Sequence, residues 1–153
     1  MSYSTVEVAN DYIATHYMST DDVRVRWESL VESDKQALLN KAYDVINSLP
    51  LRGCKTDVEQ DGAFPRCGSK TVPQAVISAE IELAATLTDI DQMNAVSEYK
   101  RKADYGISSY RVGNFSETIL SYAGNSLQLQ YGLVSTEAER FLLPWLNGGF
   151  CIE

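Results

Sequence analysis

The sequence predicts a mainly α fold: a small helical bundle with an inserted β-hairpin and a C-terminal helix. Three observations favour this class. Capping-box patterns, in which Ser or Thr is followed three residues later by Glu or Gln, precede three apolar-periodic segments. Another segment is apolar over more than one helical stripe. A glycine-led two-residue turn joins two short extended stretches. The 153 residues fit one domain, which we assign to residues 1–153.

The N-terminal part is predicted to contain two helices. Ser4 and Glu7 form the first capping box, in which each side chain accepts a hydrogen bond from a free backbone N–H group. The second capping box begins at Ser33. Apolar residues at 38, 42, 45, 46 and 49 then lie on one helical face, and Pro50 ends the helix. Residues 21–27 are expected to form a short connection between the two helices.

A long loop and a central helix are expected next. Residues 50–72 contain proline and glycine without a sustained hydrophobic period, and loops of this length are uncommon and often functional. Pro73 suits the first turn of a helix. Residues 74–90 are apolar around much of the helix, which predicts burial on several sides, within the subunit or against a neighbour.

The C-terminal part combines a hairpin with a last helix. A polar stretch at 91–106 leads into a hairpin insertion at about 107–122, turning at Gly113 and Asn114. A short hairpin with two mixed faces needs a surface to lie on. The last capping box, at Thr136, starts a helix that Pro144 should kink or stop. The apolar end of the segment 136–153 is a candidate docking segment, with simple fraying as the alternative.

The charge disfavours a protein that mainly grips nucleic acid. The net charge is −8, whereas affinity for DNA comes largely from cations that neutralise phosphates. The one basic run, residues 100–102, is flanked by Glu98 and Asp104 and is interpreted as a solvated face. No apolar run approaches the roughly 18–20 residues of a membrane span, so no membrane partner is expected. A signal peptide is not recognised either, which predicts a cytoplasmic product.

Patterns for catalysis or metal binding are not found in the sequence. His16, the single histidine, is interpreted as a packed edge residue, and Glu80 and Glu82 are two positions apart and do not share a helical face. Phosphate-binding and metalloprotease motifs are missing. The three cysteines are predicted to be free thiols because their number is odd and no export signal is recognised. Their spacing fits no zinc site either. We therefore expect no enzyme, no cofactor and no metal.

Six stretches, spread over most of the chain, are distinctive when taken together. They are residues 3–12 (YSTVEVANDY), 49–53 (LPLRG), 63–66 (AFPR), 72–76 (VPQAV), 111–116 (RVGNFS) and 142–146 (LLPWL). In this order they resemble the head–tail adaptor (connector, or head-completion) family of tailed phages. Some related sequences carry the label DnaT-like single-stranded DNA binding, which is the alternative interpretation, a replication accessory protein.

The resemblance implies a structural role in the virion, at the head–tail interface, after assembly in the host cytoplasm. It implies a homo-oligomeric ring of twelve copies beneath the portal, linked to a stopper or tail-completion protein, through whose lumen DNA passes without specific binding. The residues that it assigns to portal docking are Trp145, Leu146, Phe150 and Ile152. Those assigned to contact with a neighbouring subunit or the lumen are Phe64, Arg66, Tyr110, Arg111, Asn114 and Phe115.

Overall fold

The computed structural model describes residues 1–105, 109–112, 115–118 and 127–146. Within these residues the fold is mainly α, as predicted. The elements in chain order are α1 (Val6–His16), α2 (Asp22–Ser29), α3 (Glu32–Ser48), α4 (Gln74–Thr86), α5 (Ile90–Asp104), β1 (Ser109–Val112), β2 (Phe115–Thr118), α6 (Leu127–Tyr131) and α7 (Thr136–Leu146).

Helix α4 is the centre of the fold, as its apolar sequence predicts. It packs most extensively on α7 and α3, and α1 and α2 contact it as well. Nine of its thirteen residues are buried, including Ile81 and Leu83, which are fully enclosed. The helix ends at Thr86 rather than at the predicted residue 90, and its N-cap is Pro73.

The first predicted capping box is displaced by one residue. Thr5, not Ser4, is the N-cap of α1, and its hydroxyl accepts a hydrogen bond from the Val8 backbone N–H at 3.4 Å. Ser4 is buried and donates its own hydroxyl to α4. Similarly, the Ser135 hydroxyl, one residue before the predicted cap Thr136, accepts from Ala138 N at the start of α7. In both cases a neighbouring hydroxyl residue serves as the cap.

Residues 21–27 were predicted to be a short connection and residues 91–106 a polar stretch, but the structure has helices α2 and α5 there. Trp27 is the one fully buried residue of α2, so this helix shows no apolar stripe in the sequence. Its indole N–H donates to the Asn10 side chain at 2.9 Å, and the Lys35 ammonium group donates to the same oxygen at 3.0 Å. These bonds join α1, α2 and α3, which explains how a helix with little apolar surface is held.

The loop at 50–72 is fixed by hydrogen bonds at its base. The Arg66 guanidinium group donates to four backbone carbonyl groups, those of Leu51, Arg52, Gly53 and Ala63. Gly62 lies beneath two tyrosines, and a Cβ atom there would come within 2.9 Å of the Tyr3 hydroxyl. The residue at this position must therefore be small.

Strands β1 and β2 pair antiparallel, with Tyr110 opposite Glu117 and Val112 opposite Phe115. The predicted turn at Gly113 and Asn114 lies outside the described residues. Helix α7 passes Pro144 and continues to Leu146, two residues further than a stop at the proline would give.

The prediction of three free thiols is wrong for Cys67, which forms a disulfide, whereas Cys54 is an exposed free thiol. Spacing along the sequence does not reveal which thiols meet in space.

Candidate functional site

Among the residues that the structure describes, the most buried ionisable group is the Glu80 carboxylate in α4, and both of its oxygens accept hydrogen bonds from the N-terminal segment. Its Oε1 accepts from Tyr3 N at 2.8 Å, and its Oε2 accepts from Ser4 N at 2.8 Å and from the Ser4 hydroxyl at 2.6 Å. Burial raises the pKa of this carboxyl above its ordinary value, and the three hydrogen bonds act in the opposite direction. All donors are within the chain, so this carboxylate anchors the N-terminus.

The Glu82 carboxylate, two positions later in α4, accepts hydrogen bonds from two tyrosines of the N-terminal part. The Tyr12 hydroxyl donates at 2.9 Å and the Tyr17 hydroxyl at 2.5 Å. Burial, and then the hydrogen bond to this carboxylate, raise the pKa of both phenols well above the ordinary value of 10.0. The two acids of α4 thus have separate hydrogen-bond partners within the chain.

His16 is exposed and stacks on Tyr12 with ring centroids 3.9 Å apart, which agrees with the prediction of a packed edge residue. Among the described residues, no group of three or more His, Cys, Asp or Glu side chains could hold a metal ion. Within the same part of the chain, no helix is long and apolar enough to cross a bilayer.

Phe64 and Arg66, which the resemblance assigns to contact with a neighbouring subunit or the lumen, have partners within the domain, and the assignment stays a prediction. Phe64 is 3% exposed and packs edge-on against Trp145, with ring centroids 5.1 Å apart. The Arg66 guanidinium group is bonded to the carbonyl groups of its own loop. These residues fix the loop to the domain. Sequence reasoning could not distinguish this role because a loop aromatic and a loop arginine also suit an interface.

The residues predicted to dock on the portal fall in two groups. Trp145 and Leu146 are half-buried at the end of α7, and the Trp145 carbonyl group accepts from Arg52 N at 2.9 Å. This hydrogen bond attaches the loop at 50–72 to the end of α7, and part of the Trp145 surface is exposed. Phe150 and Ile152 lie outside the described residues.

Of the predicted hairpin contacts, Tyr110 and Arg111 lie in β1 and Phe115 lies in β2. Asn114 lies outside the described residues. The pairing register places Arg111 opposite Ser116.

The sequence analysis missed an exposed surface at the end of α5, which we call the α5 face: Tyr99, Lys100, Arg101 and Tyr105. Met93 and Val96, three residues apart, pack against the core. Ile90, at the start of the helix, is 72% exposed, and it lies nine residues before Tyr99, on the opposite side of the helix. Tyr99 itself is 46% exposed, so the domain leaves the end of α5 uncovered.

The α5 face is basic and aromatic. Lys100 and Arg101 are exposed beside Tyr99, and Tyr105, just after the helix, is 77% exposed. The Lys102 ammonium group lies 5.8 Å from the centre of the Tyr99 ring, a cation–π geometry. Exposed rings next to cations can stack on bases and neutralise phosphates. They can equally bind an acidic protein surface. The basic run 100–102 next to Tyr99 was a visible signal for this face.

Comparison with known proteins gives one finding. A family model described as "Putative DnaT-like ssDNA binding protein" matches residues 1–152. A search of the curated proteins and a search of the solved structures each gave no match.

Proposed function

The chain belongs to the DnaT-like family whose model matches it from residue 1 to residue 152, and within that family we propose that it is a non-enzymatic subunit of a ring-shaped head–tail adaptor in a tailed phage. The observation that carries this proposal is the α5 face, a basic surface with exposed tyrosines that the domain leaves uncovered. Such a surface suits a subunit that is completed by its neighbours.

The packing of the domain supports this assignment. Helices α3, α4 and α7 enclose the central residues, and the N-terminal segment is bonded to α4. Tyr99 and Tyr105 remain exposed on a chain that already has a core. Aromatic residues and arginine, as on the α5 face, are enriched at protein interfaces.

The charge of the chain suits a channel through which DNA passes. At −8 for each copy, a ring of many copies would repel the phosphate backbone at long range rather than hold it. The resemblance supplies the remaining parts of the proposal: a portal above the ring, a stopper or tail-completion protein below it, and twelve copies. In this arrangement the protein is part of the virion and performs no chemistry.

Labelling of intact particles tests the proposed function. Fab fragments raised against the purified protein should bind particles of the phage that carries the gene, and negative-stain images should show them at the junction of head and tail. Mass spectrometry of the same purified particles should detect the chain. Its absence from particles, together with its presence in infected cells, would rule out the adaptor role.

A second candidate function is binding of single-stranded DNA. The description of the family favours it, and the exposed Tyr99, Lys100, Arg101 and Tyr105 have the residue types of a stacking and phosphate-binding surface. Against it stand the flanking Glu98 and the net charge of −8. A replication accessory protein would be required to bind DNA at the ionic strength of the cell.

We expect only weak, salt-sensitive binding to single-stranded DNA. In fluorescence anisotropy with a labelled oligonucleotide at about 0.15 M salt, the isotherm should not saturate at low micromolar protein, because few cations contribute to counterion release. The matched comparison is the variant Tyr99→Ala/Arg101→Ala. A saturable wild-type isotherm that this variant loses would favour the second candidate and place it on α5.

A further inference from the structure

The loop at 50–72 places two cysteines next to each other. Lys55 and Arg66 form an isolated antiparallel β-bridge, and the Cys67 backbone N–H donates to the Cys54 carbonyl group at 3.0 Å. Cys54 and Cys67 are therefore the pair that flanks this bridge. In regular antiparallel pairing the Cα atoms of a hydrogen-bonded pair are about 5.5 Å apart, and a disulfide spans roughly 4.4–6.8 Å. The backbone thus brings Cys54 within reach of a bond to Cys67.

The two cysteines differ in their chemical state. Cys67 is part of a disulfide, whereas Cys54 is a free thiol, and both residues are exposed. The backbone of Cys67 has a φ of 56°, in the left-handed region that residues with a side chain occupy at a cost and that is found at functional sites. A thiol can replace one sulfur atom of a neighbouring disulfide, and exposed disulfides are the labile ones. The loop therefore contains both reactants of a thiol–disulfide exchange.

Hydrogen bonds hold the two sides of the loop together without involving a sulfur atom. The Arg66 guanidinium group donates to the Gly53 carbonyl group, and the Thr56 backbone N–H donates to the Pro65 carbonyl group at 3.1 Å. These bonds lie on both sides of the cysteine pair along the loop. They do not depend on which sulfur atom is bonded to Cys67. Exchange at this pair therefore requires no separation of the two sides of the loop.

We propose that Cys54 and Cys67 form a thiol–disulfide switch in this loop. The Cys54 thiolate sulfur attacks the Cys67 sulfur, a Cys54–Cys67 bond forms, and the bond between Cys67 and its present partner breaks. The partner sulfur leaves with the electron pair as a thiolate and takes up a proton. One thiol is consumed and one is produced, so no oxidant or reductant is needed. In one state Cys67 is bonded to a different cysteine, and in the other the loop is cross-linked to itself.

Disulfide mapping of the full chain tests the switch. The purified protein is equilibrated in a glutathione redox buffer, its free thiols are blocked by alkylation, and it is digested with trypsin without reduction. Trypsin places the two cysteines in the separate peptides 53–55 and 67–70. Mass spectrometry should find peptide 67–70 in two linked forms, one joined to 53–55 and one joined to 141–153. The latter peptide contains the remaining cysteine, Cys151, which lies outside the described residues.

Two variants isolate the contribution of the paired position. Cys54→Ser should abolish the form joined to 53–55 and leave the other form. The matched control Cys54→Ser/Glu59→Cys moves the thiol to another exposed position of the same loop. Its link to 67–70 should form at least roughly tenfold less than the wild-type link, because it lacks the effective concentration that the pairing gives.

Three results would overturn the switch: peptide 67–70 in a single linked form, peptide 67–70 in no linked form, or an equal yield of its link in the control. The presence of both forms in the wild type, with the loss of one in Cys54→Ser, would support it. None of these results alters Fab labelling of particles, so the switch and the adaptor role are tested separately.

Discussion

Leu83→Ala is expected to lower the free energy of unfolding by about 2–5 kcal/mol, the range found when a buried leucine is truncated and its surroundings collapse only partly. Leu83 has no exposed surface and lies in α4, which packs against both α3 and α7. A cavity there is enclosed from two sides. Urea denaturation followed by far-ultraviolet circular dichroism measures the loss.

Leu143→Ala in α7 is the matched control, because this leucine is 40% exposed and its neighbour Leu142 fills the core. Its cost should stay within about 1 kcal/mol. Leu87, which is half-buried just after α4, should give an intermediate value. If Leu83→Ala costs no more than Leu143→Ala, α4 is not the centre of the domain.

Glu80→Ala should destabilise the domain by about 3 kcal/mol or more, because it leaves two buried donors and one part-buried donor without an acceptor, and each loses a hydrogen bond to a charged group. These donors are Tyr3 N, Ser4 N and the Ser4 hydroxyl. The N-terminal segment should also exchange its amide hydrogens faster than in the wild type. Glu98→Ala, an exposed acid on α5, is the control and should change stability little. Equal effects of the two substitutions would contradict the anchoring role.

The same carboxylate should make stability depend on pH. Its pKa is raised in the folded protein from the ordinary value of 4.5. Between 4.5 and the raised pKa, the folded state therefore binds more protons than the unfolded state, and stability falls as pH rises. Below this window the contribution is fully present. Glu80→Gln removes the titrating group. The free energy of unfolding of the wild type minus that of this variant should therefore decrease as pH rises across the window. A difference that is flat or rises with pH contradicts the raised pKa.

Helices with a buried apolar stripe could be predicted from the sequence. The helix at 33–49 and the central helix after Pro73 were identified because packing demands apolar residues at helical spacing. Helix α2 could not be found this way, since Trp27 alone is fully buried and the hydrogen bonds of Asn10 and Lys35 hold the helix in place. Such bonds connect residues that are distant in sequence and leave no local pattern.

The candidate site was predicted less well than the fold. The resemblance assigned interface roles to Phe64 and Trp145, but these two rings pack against each other, so the chain itself uses them for packing. The α5 face was overlooked because the basic run 100–102 was interpreted as a solvated face. Glu80 was considered only as a possible catalytic pair with Glu82, whereas its hydrogen-bond donors lie more than seventy residues earlier in the chain.

The anchoring of Tyr3 and Ser4 has a consequence for biosynthesis. Their acceptor, the Glu80 carboxylate, is separated from them by 77 and 76 residues. The N-terminal segment of a nascent chain therefore cannot form these hydrogen bonds until α4 has been translated. Closing so long a loop carries an entropic cost that only the complete core can offset. A ribosome-bound chain halted before residue 74 should therefore remain protease-sensitive, and the N-terminal half of this protein is not a module that could be expressed or exchanged by itself.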